Sequence, residues 1–308
     1  MKRILVIRGG AIGDFILTLP ALEALRDAYP AAHIEILGYK HIVALAEDRF
    51  YAQSVRSIEA GDLARFFARN AELPSELAER FGSFDLVLSY LYDPDKIFET
   101  NLRRCGVEDL ICGPGRIDHG AHAALQLARP LEELGIRVAD LAARLFPSPQ
   151  DRQVAQEFLH DLPRPIVAIH PGSGSEKKNW ALENWIKLGA EFKKRGSLVV
   201  ASGEADRAQR AKLESVWQDR HVRFASNLPL PHLAAVLEET VFVGHDSGIS
   251  HLAAAAGARC VLLFGPTDPA IWAPRNRNVK IIRAESGRME DIDPAEVHAA
   301  VLDESARR

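Results

Sequence analysis

The sequence predicts an α/β protein built from two doubly wound domains that face a central cleft. Short apolar runs of strand length alternate with segments of helical periodicity along the whole chain, which is typical of βα units and parallel sheets. The length of 308 residues suits two domains of about 150 residues each. A proline-rich stretch at residues 145–165 interrupts the alternation, so we predict domains of residues 1–150 and 151–308. The last helix belongs to the second domain in sequence, but it could pack on the first domain.

Five apolar runs predict the strands of the first domain, at residues 4–7, 34–37, 54–58, 86–90 and 110–112. Segments with helical spacing of apolar residues fill the remaining chain, at residues 14–28, 42–46, 63–70, 75–81, 96–103 and 121–134. Because helices separate successive strands, we expect the strands to pair in parallel.

The alternation restarts after a helical segment at 150–159. Six strands are predicted, at residues 166–170, 198–202, 222–225, 241–243, 260–264 and 279–282. Five helices are predicted, at residues 182–195, 206–217, 231–237, 248–256 and 293–302. The last begins with Asp293, Pro294 and Glu296, which suit the N-cap, N1 and N3 positions. Ligands of doubly wound folds bind outside the carboxyl ends of strands, so the cleft between the domains is the expected site.

Composition excludes several classes of protein. The first 150 residues carry 17 Lys and Arg against 21 Asp and Glu, and the remainder carries 21 against 21, so neither half is a basic nucleic-acid surface. The three cysteines form no C-x-x-C pair, which favours a reducing compartment. No apolar run approaches the roughly 20 residues of a membrane-spanning helix, and only four apolar residues lie between the basic pair Lys2-Arg3 and Arg8. We expect a cytoplasmic protein, compatible with peripheral contact at the cytoplasmic face of the inner membrane.

The first loop, residues 8–14, reads RGGAIGD and joins a strand to a helix. A dinucleotide fingerprint ending at Gly13 would need glycine where Arg8 stands, and the second strand ends without the acid that binds ribose. What remains is a tight glycine turn that places Asp14 at the start of the helix, facing the cleft. The alternative is an ordinary helix cap, which contributes about 1 kcal/mol.

The second loop, residues 170–180, reads HPGSGSEKKNW. Its small residues would let backbone N–H groups approach an anion, and Lys177 or Lys178 would supply positive charge, although the Walker spacing is absent. The alternative is a flexible surface loop with solvated lysines.

The third loop, residues 244–251, reads GHDSGISH and leads into a helix near Gly248. The free N–H groups and the positive end of the helix dipole suit a diphosphate, with Ser247 and Ser250 as donors and His251 one turn further on. The alternatives are an N-cap role for the aspartate or serine and a buried, hydrogen-bonded histidine.

Four segments resemble glycosyltransferase family 9, the ADP-heptose:lipopolysaccharide heptosyltransferase family. They are GGAIGDFILTLP (9–20), HPGSGSEKKNW (170–180), DSGISH (246–251) and FGPTDP (264–269). The resemblance covers nearly the whole chain in order, and DSGISH is its most specific element. It implies a GT-B architecture of two Rossmann-like domains, with the acceptor on the first and the nucleotide sugar on the second.

The resemblance also implies roles for single residues. Asp14 matches the catalytic base, and Arg8, beside the same turn as Gly13, matches a basic residue near the cleft. The donor contacts implied for phosphate, ribose and sugar are Ser173, Lys178, Glu204, Asp246, Ser247, Gly248 and His251. The expected reaction is an inverting transfer of a heptose or related sugar from an ADP-sugar to a saccharide or glycolipid acceptor, without a metal or other cofactor.

Three further observations leave alternatives open. Five arginines of the first domain could form an acceptor patch or simply be solvated: Arg65, Arg69, Arg103, Arg104 and Arg116. Asp93-Pro94-Asp95 has the D-x-D form of metal-dependent glycosyltransferases, but a turn and helix cap before Lys96 also explain it, and a phosphate loop on the second domain would make a metal redundant, so we expect no metal there. The same architecture would suit a nucleotide-sugar 2-epimerase, or a non-catalytic nucleotide-sugar sensor, which the presence of Asp14 argues against.

Overall fold

A computed structural model describes residues 1–306 and divides the chain into two compact units. The first unit is Met1–Leu141 and the second begins at Ala142. The boundary between the units lies before the junction predicted near residue 150. Residues 142–148 belong to the second unit because they are hydrogen-bonded to the rest of it. The amide of Leu145 donates to the carbonyl of Ala255 at 2.8 Å, and Asn276 Nδ2 donates to the carbonyl of Ala143 at 2.8 Å.

The first unit is a five-stranded parallel sheet with helices between its strands. Its elements are β1 (Arg3–Arg8), α1 (Ile12–Ala28), β2 (His33–Gly38), α2 (Lys40–Val43), β3 (Ser54–Ser57), α3 (Ser75–Gly82), β4 (Leu86–Ser89), α4 (Ile97–Arg104), β5 (Leu110–Cys112) and α5 (Ala123–Ala128). The strand order is β3-β2-β1-β4-β5. The central strand β1 is buried from Ile4 onward, as expected for a parallel strand covered on both faces.

The second unit is a six-stranded parallel sheet. Its elements are α6 (Pro149–Leu159), β6 (Ile166–His170), α7 (Leu182–Lys193), β7 (Ser197–Ser202), α8 (Arg207–Val216), β8 (Val222–Ser226), α9 (Leu230–Glu238), β9 (Val241–His245), α10 (Gly248–Ala256), β10 (Arg259–Phe264), α11 (Pro269–Trp272), β11 (Val279–Arg283) and α12 (Pro294–Ala306). The strand order is β11-β10-β9-β6-β7-β8. The final helix α12 contributes Val297 and Val301 to the core of this same unit and packs on β9, β10 and α7.

Three segments differ from the helices predicted by periodicity. Gly61–Phe67 is a 3-10 turn instead of an α-helix over 63–70. The predicted helix 121–134 ends as an α-helix at Ala128 and continues as a 3-10 turn, because Pro130 has no N–H to donate. The short helix α11 was not predicted. Among the helices of residues 1–306, none is both long and apolar enough to cross a bilayer.

Candidate active site

In each sheet the strand order reverses once, and the predicted site residues other than Glu204 lie beside that reversal. In the first unit the reversal lies between β1 and β4, and the loop after β1 leads to Asp14. In the second it lies between β6 and β9, whose loops carry residues 171–181 and 246–247. Ligands of doubly wound sheets bind in the crevice that opens at such a switch point.

The turn after β1 presents Asp14 partly to solvent. Gly10 adopts φ +95°, and a Cβ there would lie 2.7 Å from Asp14 Oδ2, so a side chain at this position would displace the carboxylate. Oδ2 accepts a hydrogen bond from the amide of Ala11 at 2.8 Å, while the side chain stays 37% exposed. A carboxylate has about four acceptor positions. Asp14 therefore caps α1 and keeps acceptor capacity for another donor.

Arg8 supplies a buried positive charge beside Asp14. Its side chain is 5% exposed, and Nη2 lies 3.6 Å from Asp14 Oδ1. Nη2 also donates to the backbone carbonyl of Asp14 at 3.0 Å, and Nε donates to Thr18 Oγ1 at 2.9 Å. Burial lowers the pKa of Arg8, an effect that the neighbouring Asp14 opposes. Gly13, the partly buried second residue of α1, directly precedes Asp14.

The loop after β6 is closed by its own hydrogen bonds. Ser173 Oγ lies 2.7 Å from both the carbonyl of Ser175 and Asn179 Oδ1, and it accepts from the amide of Ser175 at 3.3 Å. A hydroxyl has a single proton to donate. Contact between Ser173 and a phosphate therefore requires that one of these internal hydrogen bonds be given up.

Lys178 and Asp246 join the loops after β6 and β9. Lys178 Nζ donates to the backbone carbonyl of Asp246 at 2.8 Å and lies 3.2 Å from its Oδ2. The two side chains are 22% and 11% exposed. An ammonium group has three protons, so one remains for a further acceptor.

Helix α10 begins directly after this ion pair. Ser247 is the N-cap, and its Oγ accepts from the amide of Ser250 at 3.3 Å. Within residues 1–306 the amides of Gly248 and Ile249 have no acceptor. They are the free donors of a helix N-terminus, where the dipole is positive.

The two other predicted donor residues lie at the same sheet edge. His251 is 5% exposed and belongs to the first turn of α10. Glu204 is solvent-exposed in the turn after β7, the neighbour of β6 in the sheet. The structure thus brings Lys178 and Asp246 into contact and places Ser247, Gly248 and His251 on the adjoining helix start.

His245 is a residue that the sequence reasoning missed. It is the last residue of β9, directly before Asp246, and is fully buried. Its Nε2 accepts from the amide of Trp180 at 2.8 Å, so the ring proton lies on Nδ1 and is directed to the carbonyl of Gly172 at 3.3 Å. His245 therefore holds both ends of the loop 172–180 against β9. In the sequence His245 stands only as the second residue of the loop GHDSGISH, just after the predicted strand 241–243.

We expect His245→Gln to change the acid stability of the protein. Burial lowers the pKa of His245 to about 3, whereas a histidine in the unfolded chain has a pKa of about 6.5. Between these values the unfolded state binds the extra proton, so this contribution is present above about pH 6.5 and is lost as pH falls, by about 1.4 kcal/mol per pH unit. Urea unfolding of the wild type and the variant from pH 7 to 4.5 measures the difference. His119→Gln, an exposed control, should keep the wild-type slope, and so would His245→Gln if the ring were protonated in the folded state.

Both aspartates of the D-x-D segment already have partners among neighbouring residues of the first unit. Asp93 Oδ1 and Oδ2 accept from the amides of Ile97 and Glu99 at 2.9 Å each, which caps α4. Asp95 Oδ2 lies 3.3 Å from Arg69 Nη2. Among residues 1–306, no group of three or more His, Cys, Asp or Glu side chains is placed to hold a metal ion.

Comparison with known proteins decides the family. The model of glycosyltransferase family 9 (heptosyltransferase) matches residues 119–299, which is more than half of the chain. The chain belongs to glycosyltransferase family 9. This membership confirms the resemblance seen in the four motifs, and it makes the protein a glycosyltransferase.

Relatives of this family 9 chain match along most of their length. Lipopolysaccharide heptosyltransferase 1 of Escherichia coli K12 is 29% identical, with 92% of this chain and 93% of the relative covered. Lipopolysaccharide heptosyltransferase 3 of the same strain is 23% identical, with coverage of 87% and 83%.

Solved structures share the fold. A glycosyl transferase family 9 crystal structure from Veillonella parvula DSM 2008 matches with a TM-score of 0.82 at 20% identity, covering 98% of this chain and 97% of that chain. The ADP-heptose lipopolysaccharide heptosyltransferase II of Escherichia coli matches with a TM-score of 0.80 at 18% identity, covering 99% and 100%. The predicted α/β fold of the GT-B type is confirmed.

Proposed function

We propose that this family 9 enzyme transfers a heptose or a related sugar from an ADP-sugar to a hydroxyl group of a saccharide acceptor, with inversion at the anomeric carbon. The reaction class follows from the family and from relatives named as lipopolysaccharide heptosyltransferases. The nucleotide is suggested by an 18% identical Escherichia coli heptosyltransferase solved with ADP-2-deoxy-2-fluoro heptose. The observation that carries the proposal is the Lys178–Asp246 pair at the start of α10.

The donor is assigned to the second unit. The free amides of Gly248 and Ile249 and the positive end of the α10 dipole would bind the diphosphate, as helix N-termini commonly do. The remaining proton of Lys178 would reach the same anion, with Ser173 as a further donor after its loop bonds are released. Glu204, an exposed carboxylate in the turn after β7, suits the two ribose hydroxyls.

Asp14 is assigned to the acceptor. A sugar hydroxyl is a weak nucleophile at neutral pH, so a carboxylate must accept its proton while the oxygen attacks the anomeric carbon. General-base catalysis of this kind contributes typically about 10²- to 10⁴-fold. The exposed part of Asp14 has the acceptor capacity for this step, and Arg8 Nη2 lies 3.6 Å from its Oδ1.

The leaving group is an ADP anion, which gains negative charge as the glycosidic bond to phosphate breaks. Lys178 and the α10 amides would stabilise that charge where it develops, which is the most effective place for electrostatic catalysis. A single displacement from the opposite face of the sugar inverts the anomeric centre. Asp246 and His251, beside the diphosphate, are assigned to the sugar.

We propose that the reaction needs no divalent cation, because fixed cationic and amide donors of the second unit would take its role. Incubation with EDTA should leave the transfer rate within about twofold of the untreated enzyme, and Asp93→Asn with Asp95→Asn should behave likewise. Rates measured after dialysis against EDTA, with Mg²⁺ or Mn²⁺ added back, provide the comparison. Loss of transfer on chelation and its recovery with either cation would instead assign these two aspartates to a metal.

The decisive experiment for the function supplies ADP-heptose and a lipopolysaccharide core saccharide that lacks heptose. We expect release of ADP only when both are present, and a product whose anomeric configuration, read by NMR, is opposite to that of the donor. Isomerised or free sugar formed without an acceptor would favour the epimerase. Binding of ADP-heptose without any turnover would favour a sensor.

A further inference from the structure

A cavity of about 320 Å³ opens on the face of the first sheet that packs against α3. Leu5 and Glu35, which pair across β1 and β2, form part of its floor, and Leu77 and Phe81 of α3 form part of one wall. Leu5 lies three residues before the end of β1, which is about 10 Å along a strand. The cavity is therefore separate from the carboxyl edge of the sheet, where the turn that carries Asp14 begins.

Glu35 is a buried charge in the middle of an apolar strand. It is 3% exposed, and its neighbours on the same face of the sheet, Leu5 and Leu37, belong to the apolar core. Its Oε2 accepts hydrogen bonds from Arg80 and, at 3.4 Å, from Ser54 Oγ. A buried ion pair is often no more stabilising than packed apolar side chains. Stability alone therefore does not explain this carboxylate, and the proposed transfer does not use it.

The Glu35–Arg80 pair leaves hydrogen-bonding groups unused at the cavity. A carboxylate has about four acceptor positions, but within residues 1–306 both donors to Glu35 contact Oε2 and none contacts Oε1. Arg80 donates through Nη2 alone, so its Nε and Nη1 make no hydrogen bond in the described part of the chain. Both side chains line the cavity. It therefore offers an acceptor and donors on two residues that are in contact.

The charges of the cavity lining balance. Besides Glu35 and Arg80, the lining includes the exposed Arg56 and Asp62, neither of which forms an ion pair within residues 1–306. Two guanidinium groups are thus matched by two carboxylates, so the cavity favours neither an anion nor a cation. Ligand sites have volumes of roughly 300 to 1,000 Å³ and combine apolar walls with a few fixed polar groups. The cavity fits this description for an uncharged ligand.

We propose that this cavity binds a small uncharged molecule with an apolar ring and a carboxamide group. The amide N–H donates to Glu35 Oε1, and the carbonyl oxygen accepts from Nε or Nη1 of Arg80. A primary amide carries both functions, whereas a carboxylate lacks the donor and an ammonium group lacks the acceptor. The ring packs against Leu77 and Phe81. This binding site is additional to the donor and acceptor sites of the proposed transfer and does not depend on them.

The test compares three probes that share one ring: benzamide, benzoate and benzylamine. Ligand-observed NMR titrations of the full-length protein measure the Kd of each probe, with and without saturating ADP. Ala60→Trp introduces an indole at the cavity from an exposed position, so the core is not disturbed. Its matched control is Ala68→Trp, which changes an exposed alanine at the other end of the same 3-10 turn, outside the cavity lining.

We expect benzamide to bind the wild type about tenfold or more tightly than either other probe, the range for one hydrogen bond to a charged group. ADP and Ala68→Trp should leave its Kd unchanged, and Ala60→Trp should abolish saturable binding. Glu35→Gln should weaken benzamide about tenfold and strengthen benzoate, because the variant loses a negative charge and its amide nitrogen can donate where the carboxylate only accepts.

Absence of saturable benzamide binding by the wild type overturns the site, and so does equal affinity for benzoate or benzylamine. Unchanged binding by Ala60→Trp has the same consequence. Displacement of benzamide by ADP would assign the probe to the nucleotide site and also refute the proposal. Thermal unfolding of each variant accompanies the titrations, and if Glu35→Gln does not fold, the two tryptophan variants still decide.

Discussion

Asp14→Asn should lower the transfer rate by about 10²- to 10⁴-fold, the usual contribution of a general base, and leave folding and donor binding unchanged. The amide oxygen of asparagine can still accept the hydrogen bond from Ala11 that caps α1, so the turn keeps its shape. What the substitution removes is the capacity to accept a proton. Initial rates at saturating ADP-sugar, together with calorimetry of ADP binding, separate the two functions.

The matched control for this variant is Asp27→Asn, which changes an exposed aspartate of the same helix and should leave the rate unchanged. A rate within tenfold of wild type for Asp14→Asn would show that this carboxylate caps the helix and does nothing more. The alternative interpretation of the sequence, a plain N-terminal helix cap, would then be correct.

Lys178→Ala should weaken ADP binding about ten- to hundredfold, since a hydrogen bond to a charged group contributes about 1.5 to 3 kcal/mol and each factor of ten corresponds to about 1.4 kcal/mol. The structure favours the upper end of this range. Removal of the ammonium leaves the largely buried carboxylate of Asp246 without its cation, next to the predicted position of the diphosphate. Like charges would then repel.

Lys177→Ala is the control, because its exposed side chain adjoins Lys178 in sequence and should hardly affect ADP affinity. Asp14→Ala should also bind ADP as wild type does. Calorimetry on the three full-length variants decides the assignment of the donor. An equal or larger loss from Asp14→Ala would mean that the first unit, and not the second, binds the nucleotide.

The strands were predicted from sequence to within one or two residues. Central strands such as β1 and β6 are apolar runs covered on both faces, whereas the edge strands β3 and β11 include exposed residues such as Arg56 and Arg283. The helices were less predictable where local chemistry overrides periodicity. Pro130 divides one predicted helix, and Asn70, at φ +54°, lies beyond the 3-10 turn at 61–67. α11 was missed although Asp268-Pro269 repeats the cap and N1 proline that revealed α12.

The residues of the candidate site were also only partly predictable from the sequence. Glycine-rich loops after strands were visible in the sequence and directed attention to Asp14, Lys178 and Asp246. The role of His245 was not visible, because the sequence placed it in the loop after a strand, and its partners Gly172 and Trp180 are distant in sequence. Arg116, whose guanidinium carbon lies 3.8 Å from the centre of the Tyr92 ring, likewise meets its partner only because two loops approach closely, which composition does not reveal.

The tryptophans packed around His245 allow the second unit to be followed by fluorescence. Trp180 and Trp185 pack edge to face, and Trp185 packs in the same way on His245, behind the loop proposed to bind phosphate. All four tryptophans of the chain lie in the second unit, and all five tyrosines lie in the first. Selective excitation of indole therefore gives a fluorescence signal from the second unit alone, in the unlabelled protein. A change in that emission on adding ADP would report on the second unit.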